Sequence, residues 1–139
     1  MRVVLDTDVV VAAVLSPTGA SRQLLIGAVD GRFQLLASVP LMLEWEAVLK
    51  RPGILGAAKG SVEDMEVILD QLADACVPID LHFLWRPQSK DPDDDMVLET
   101  AINGRADTIV TFNVRHLASA ATYFGLVVER PAELLRRLP

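Results

Sequence analysis

Little in this sequence can build a covalent or soft-metal framework. One of its 139 residues is a cysteine, Cys76, and two are histidines. A lone thiol excludes an intrachain disulfide and a cysteine-based zinc site. No apolar run reaches the ~18–20 residues that span a bilayer. The apolar opening, MRVVLDTDVVVAAVL, carries Asp6 and Asp8 where a signal-peptide core would be uncharged. Repeats, low-complexity tracts and linkers are missing too. Positive charge is short: 13 Lys and Arg against 19 Asp and Glu leave a net charge of −6, the wrong sign for a general nucleic-acid binder. That exclusion is partial, because a share of the acid, four of the 19 residues, sits in one place where a bound cation would offset it. The expectation is one soluble, cytoplasmic domain over residues 1–139 with no membrane contact, long enough to bury about two-thirds of its unfolded surface.

The concentrated acid is KDPDDDMVL, Lys90–Leu98, with Asp91, Asp93, Asp94 and Asp95 directly ahead of an apolar periodic segment. Pro92 suits the first position of a helix, where its missing N–H has no partner in any case. Asp91 then falls at the N-cap and the other three in the first turn, where the helix dipole favours negative charge by roughly 0.3–1 kcal/mol each. One cap needs one carboxylate, however, and adjacent like charges repel. So dense a cluster is stable when solvated or when a cation neutralises it.

Elsewhere short apolar runs alternate with helical patterns. Val3–Leu5, Phe33–Ala37, Val77–Ile79, Thr108–Thr111 and Leu126–Val128 read as strands. The first has no polar alternation, as expected of a strand buried on both faces of a parallel sheet. Helices are expected over Val9–Leu15, Ser21–Val29, the Leu41–Leu49 stripe ended by Pro52-Gly53, a segment opened by a Ser61/Asp64 capping box, Pro92 to about Asn103, Val114–Tyr123 and Pro131–Leu138. The alternation predicts an α/β fold, a three-layer α/β/α sandwich around a central parallel sheet.

In such a sheet, ligands bind beyond the carboxyl ends of the strands. Asp6 ends the first strand, Asn113 follows the Thr108–Thr111 strand, and the Asp91–Asp95 turn opens a helix on that same edge. Glu44 is placed to join them, because it borders the Leu41/Trp45/Val48 stripe. Glu46 has Lys50 four residues on, the spacing of an exposed ion pair. Carboxylates without His or Cys suit Mg²⁺ or Mn²⁺, and such a site suits metal-assisted hydrolysis of a phosphodiester. Trp45 and Trp85 are assigned to packing.

The residues resemble the PIN-domain nucleases, specifically the VapC-like toxin ribonucleases of toxin–antitoxin pairs. The likeness rests on VVLDTDVVVAAVL, SVPLMLEWEAVLKRP, DPDDDMVLETAINGRADTIVTFNVRHL and a closing helix after Pro131. It implies a metal-dependent ribonuclease, the toxin of a type II pair. Asp6, Glu44 and Asp94 would be the acids, Asp94 being preferred to Asp95. Thr111 and Asn113 match a polar corner where many members carry a fourth acid; Asn113 is neutral here, so Asp91 or Asp95 would have to compensate for a second metal. Asp8 stands where asparagine is more usual. Arg115 and His116 would contact RNA phosphate. The implied cofactor is Mg²⁺ or Mn²⁺, and the implied partners are RNA, a cognate antitoxin and a second copy in a homodimer. Two alternatives remain: a PIN-like module that binds antitoxin or RNA without cutting, and a haloacid-dehalogenase-like phosphatase using Asp6 as nucleophile and Asp8 as acid/base.

Overall fold

The computed structural model describes residues 1–83 and 92–139; for residues 92–94 it describes the backbone only. Five strands form one parallel sheet in the order β3-β2-β1-β4-β5. They are β1 (Arg2–Leu5), β2 (Gln34–Ala37), β3 (Val77–Pro78), β4 (Thr108–Val110) and β5 (Val127–Glu129). Val3, Val4 and Leu5 of β1 are fully buried, as are Leu35 and Leu36 of β2 and Ile109 and Val110 of β4. Each such side chain contributes roughly 1.5–3 kcal/mol of transfer free energy, and the absence of polar alternation follows from helices covering both faces.

The helices are α1 (Thr7–Leu15), α2 (Ala20–Val29), α3 (Val39–Leu49), α4 (Pro52–Ala58), α5 (Val62–Ala75), α6 (Pro92–Asn103), α7 (Val114–Tyr123) and α8 (Pro131–Arg137). Right-handed crossovers place those joining β1, β2 and β3 on one face, and α6 and α7 on the other. This is the expected three-layer sandwich. None of these helices is long and apolar enough to cross a membrane.

Local chemistry sets most boundaries where the sequence predicts them. The Ser61/Asp64 capping box makes both of its hydrogen bonds at the start of α5, and Glu46 pairs with Lys50 at 3.7 Å. One helix is unexpected. Pro52-Gly53 does not merely end α3; Pro52 opens α4, because proline at a first helical position forfeits no hydrogen bond. The last strand begins one residue later than expected and brings in Glu129. Asn103-Gly104 ends α6, but the left-handed residue is Arg105 (φ 52°). Gly104 is needed for close approach instead, since a Cβ there would lie 2.8 Å from Leu36 Cδ1 and 2.9 Å from the Thr100 carbonyl oxygen.

Glu129 fixes α8 to the sheet edge. Its carboxylate accepts from Arg137 Nε at 2.9 Å and Nη2 at 2.6 Å, and from the Thr108 hydroxyl at 2.5 Å. Burial pushes the carboxyl up, but the Arg137 fork and the Thr108 hydroxyl more than offset that and hold it below its ordinary 4.5. A depressed carboxyl stabilises the fold above its unfolded value, and that contribution is lost as pH falls from 4.5 through the lower folded value. Arg137→Leu is therefore expected to cost about 1–2 kcal/mol at neutral pH, after discounting for the exposure of the guanidinium. In urea melts the gap to the native protein should close below pH 4.5; a gap that persists there would assign the loss to packing.

Candidate functional site

From β1 the chain moves to one side through β2 and β3, then returns to lay β4 and β5 on the other. The crevice beyond the carboxyl ends of β1 and β4 is the topological switch point, where open parallel sheets bind ligands. The register pairs Leu5 with Val110. Asp6 and Thr111, each next in sequence, therefore leave the sheet side by side.

Asp6 has two tasks. It is the N-cap of α1, its Oδ1 accepting from Thr7 N at 2.7 Å. Its Oδ2 accepts from the Thr111 hydroxyl at 2.8 Å. The side chain is only 6% exposed. Capping and rim placement are both realised by the two oxygens of one carboxylate.

Glu44 turns toward the same edge. Its Oε2 accepts from the Thr7 hydroxyl at 2.8 Å, so α3 is tied to α1 one residue from Asp6. Asp8 completes the link to the corner after β4: its Oδ2 accepts from Phe112 N at 3.1 Å and Asn113 Nδ2 at 3.3 Å, and lies 3.4 Å from the Thr111 hydroxyl. The Thr111 oxygen also accepts from Asn113 N at 3.0 Å. Three segments distant in sequence, at Asp6–Asp8, Glu44 and Thr111–Asn113, thus form one hydrogen-bonded rim.

The orientation of α6 follows from its other end. Arg2 Nε, at the start of β1, donates to the Gly104 carbonyl at 2.9 Å. The C-terminus of α6 therefore lies at the amino edge of the sheet and its first turn at the carboxyl edge. Mid-helix, Thr100 and Ser38 share a buried hydroxyl contact of 2.7 Å. Because Thr100 gives its proton to the Met96 carbonyl, Ser38 is the donor, and α6 is fixed against the β2–α3 junction. Asp95 is 5% exposed and Glu99, one turn later on the same face, is fully buried. Asp91, Trp85 and the side chain of Asp94 lie outside the described residues.

Arg115 and His116 are exposed in the first turn of α7, beside Asn113. Trp45 is fully buried, which fits its assignment to packing and removes it from any base stacking. Sequence reasoning missed Thr7, Glu99 and the Ser38–Thr100 pair. Thr7 sits visibly within DTD, but nothing in sequence shows a hydroxyl meeting a glutamate 37 residues away.

The donors on the rim are carboxylates, hydroxyls and an amide, the chemistry of a hard cation site. Among the described residues no three His, Cys, Asp or Glu side chains are grouped closely enough to hold a metal by themselves. The oxygens of Asp6, Asp8 and Glu44 are donors of the type that such a cation takes.

A family model described as PIN domain matches residues 2–115. The matched stretch runs from β1 into the first turn of α7 and contains every rim residue named above. No curated protein matches the chain. PIN domains are in general nucleases and typically use divalent metals. The dehalogenase-like alternative does not survive: it requires an acidic pair after a late strand, whereas β4 leads into Thr111-Phe112-Asn113.

Proposed function

The chain belongs to the PIN-domain family, and from that premise we propose that it is a divalent-metal-dependent ribonuclease, the toxin of a type II toxin–antitoxin pair. The supporting observation is the joining of Asp6 and Glu44 through Thr7 at the switch point between β1 and β4. The first turn of α6 supplies the third acid, Asp94 or Asp95. Asp95 is 5% exposed, close to the 6% of Asp6. When bound, Mg²⁺ or Mn²⁺ supplies an acidified water and neutralises charge on the phosphate.

The chain's own residues do the positioning. Thr7 and Thr111 each donate to a carboxylate of the rim, which fixes the rotamers of Glu44 and Asp6. Arg115 and His116 stand where an RNA phosphate approaching the rim would meet them. The toxin role draws support from α3, where Val39 and Leu43, one turn apart, are 69% and 59% exposed beside Glu44. A partner that covers this apolar strip and places a basic residue over the acids fits an antitoxin. Homodimerisation and a cytoplasmic location belong to the same proposal.

The test is cleavage of a mixed RNA pool in Mn²⁺, in Mg²⁺ and in EDTA. Cutting is expected in either metal and not in EDTA, and Glu44→Gln should reduce it by on the order of 10–100-fold. Equal cutting by Glu44→Gln would identify a contaminant. A folded protein that never cuts but binds RNA or an antitoxin would instead be a non-catalytic binding module.

A further inference from the structure

Resting on the assignment of the rim as a ribonuclease site, we propose that Phe112 is the residue on which a base of the bound RNA stacks, beside the phosphate that is cut.

The corner between β4 and α7 is held at each step. Thr111 N donates to the Glu129 carbonyl at 3.0 Å, Phe112 N to Asp8 Oδ2 at 3.1 Å and Asn113 N to the Thr111 hydroxyl at 3.0 Å. Three consecutive amides thus have fixed acceptors, and Thr111 is fully buried. On this fixed backbone Phe112 is 41% exposed. A residue whose main chain is already ordered loses little further freedom when its ring meets a ligand.

Single exposed apolar residues are ordinary on a protein surface. Placement sets Phe112 apart. Among the described residues three aromatics are exposed: Phe83, Phe112 and Tyr123. Phe83 N donates to the side chain of Asn103, the last residue of α6, and Tyr123 is the last residue of α7. Both helices start at the carboxyl edge of the sheet and run away from it. Of the three, Phe112 alone belongs to the rim, next in sequence to the hydroxyl that serves Asp6. Charge also favours an aromatic contact there. With a net charge of −6 and carboxylates along the rim, phosphate attraction by itself holds RNA weakly. Stacking needs no charge and accepts any base, since every base has a π-face. Arg115 and His116 are exposed in the first turn of α7, so the corner presents a ring together with two phosphate-binding side chains. Sites for unpaired nucleotides combine these two contacts.

The test uses an RNA oligonucleotide that the native protein cuts at one phosphodiester, and two copies carrying an abasic ribose on the 5′ or the 3′ side of that bond. Steady-state cleavage is measured for all three. One abasic copy should show a KM on the order of 10-fold higher than the intact RNA, with kcat unchanged, because stacking serves ground state and transition state alike. Phe112→Leu should raise KM for the intact RNA by a similar factor and should no longer distinguish that copy from it. Phe112→Trp should restore both the native KM and the discrimination. A loss in Phe112→Leu that falls on kcat would make Phe112 a support of the corner. An abasic penalty that survives Phe112→Leu would place the base elsewhere, and a native protein that cuts all three RNAs alike would remove the stacked base. Each of these overturns the inference and leaves the nuclease reading intact. A native protein that cuts no RNA in Mn²⁺ or Mg²⁺ overturns both.

Discussion

Asp6→Asn is expected to abolish metal-dependent RNA cleavage while leaving the protein folded. The two oxygens of Asp6 separate the two roles. An asparagine caps a helix about as well as an aspartate, so Thr7 N keeps its acceptor and α1 its start. The other oxygen, now an amide nitrogen, no longer accepts from the Thr111 hydroxyl. It carries no charge for a cation and donates toward an oxygen that already accepts from Asn113 N. The Thr111 proton is then released toward Asp8. Loss of the central acid should remove several kcal/mol of charge stabilisation, on the order of 10³-fold in rate. Single-turnover cleavage in Mn²⁺, with a circular-dichroism melt as control, reads both consequences. Asp6→Ala should lose the same activity and also about 1 kcal/mol of stability, because the cap goes with the charge. Native-level cutting by Asp6→Asn would remove Asp6 from the chemistry altogether.

The largest effect on stability should come from Trp45. It is the largest of the fully buried side chains, and its indole nitrogen has no hydrogen-bond partner among the described residues. Trp45→Ala leaves a cavity under α3 and should cost about 3–5 kcal/mol, a large part of the roughly 5–15 kcal/mol that holds a typical domain. Glu44 is the preceding residue on α3, so collapse around the cavity should also move the Glu44 carboxylate away from Thr7 and lower activity beyond the stability loss. Trp45→Phe separates the terms. It gives up part of the packing but removes a desolvated N–H that gains nothing in return, so its stability should stay within about 1 kcal/mol of native. Urea melts of the pair decide the matter. A phenylalanine variant as unstable as the alanine one would mean that the indole N–H is satisfied in solution.

Much of the architecture was legible because its causes are local. The fully buried strands announce themselves through runs such as Val3–Leu5, which lack polar alternation for the simple reason that neither face meets water. Ser38, Ser61 and Asp64 mark helix starts because their side chains satisfy nearby backbone N–H groups. The missed helix α4 shows the limit of punctuation: Pro52 is compatible with ending one helix and with opening another, and only the packed chain decides. The ionic clamp of Glu129 on Arg137 was invisible for a related reason. Glu129 lies one residue past the expected end of the last strand, and nothing local joins it to an arginine eight residues on.

The candidate site divides along the same line. Residue type and order alone placed Asp6, Glu44, the Asp91–Asp95 run and the Thr111–Asn113 corner on one edge of a parallel sheet, since an open α/β sheet gathers its strand ends and helix starts there. Only the tertiary structure decided which atoms meet. Thr7 joins Glu44 to the first strand, Thr111 is bound to Asp6, and Asp8 reaches across to hold the neutral corner. These contacts join residues 37 to 105 positions apart, and no local preference encodes them. They exist because β1 and β4 lie side by side in register, which brings two short polar turns within hydrogen-bonding distance of one another.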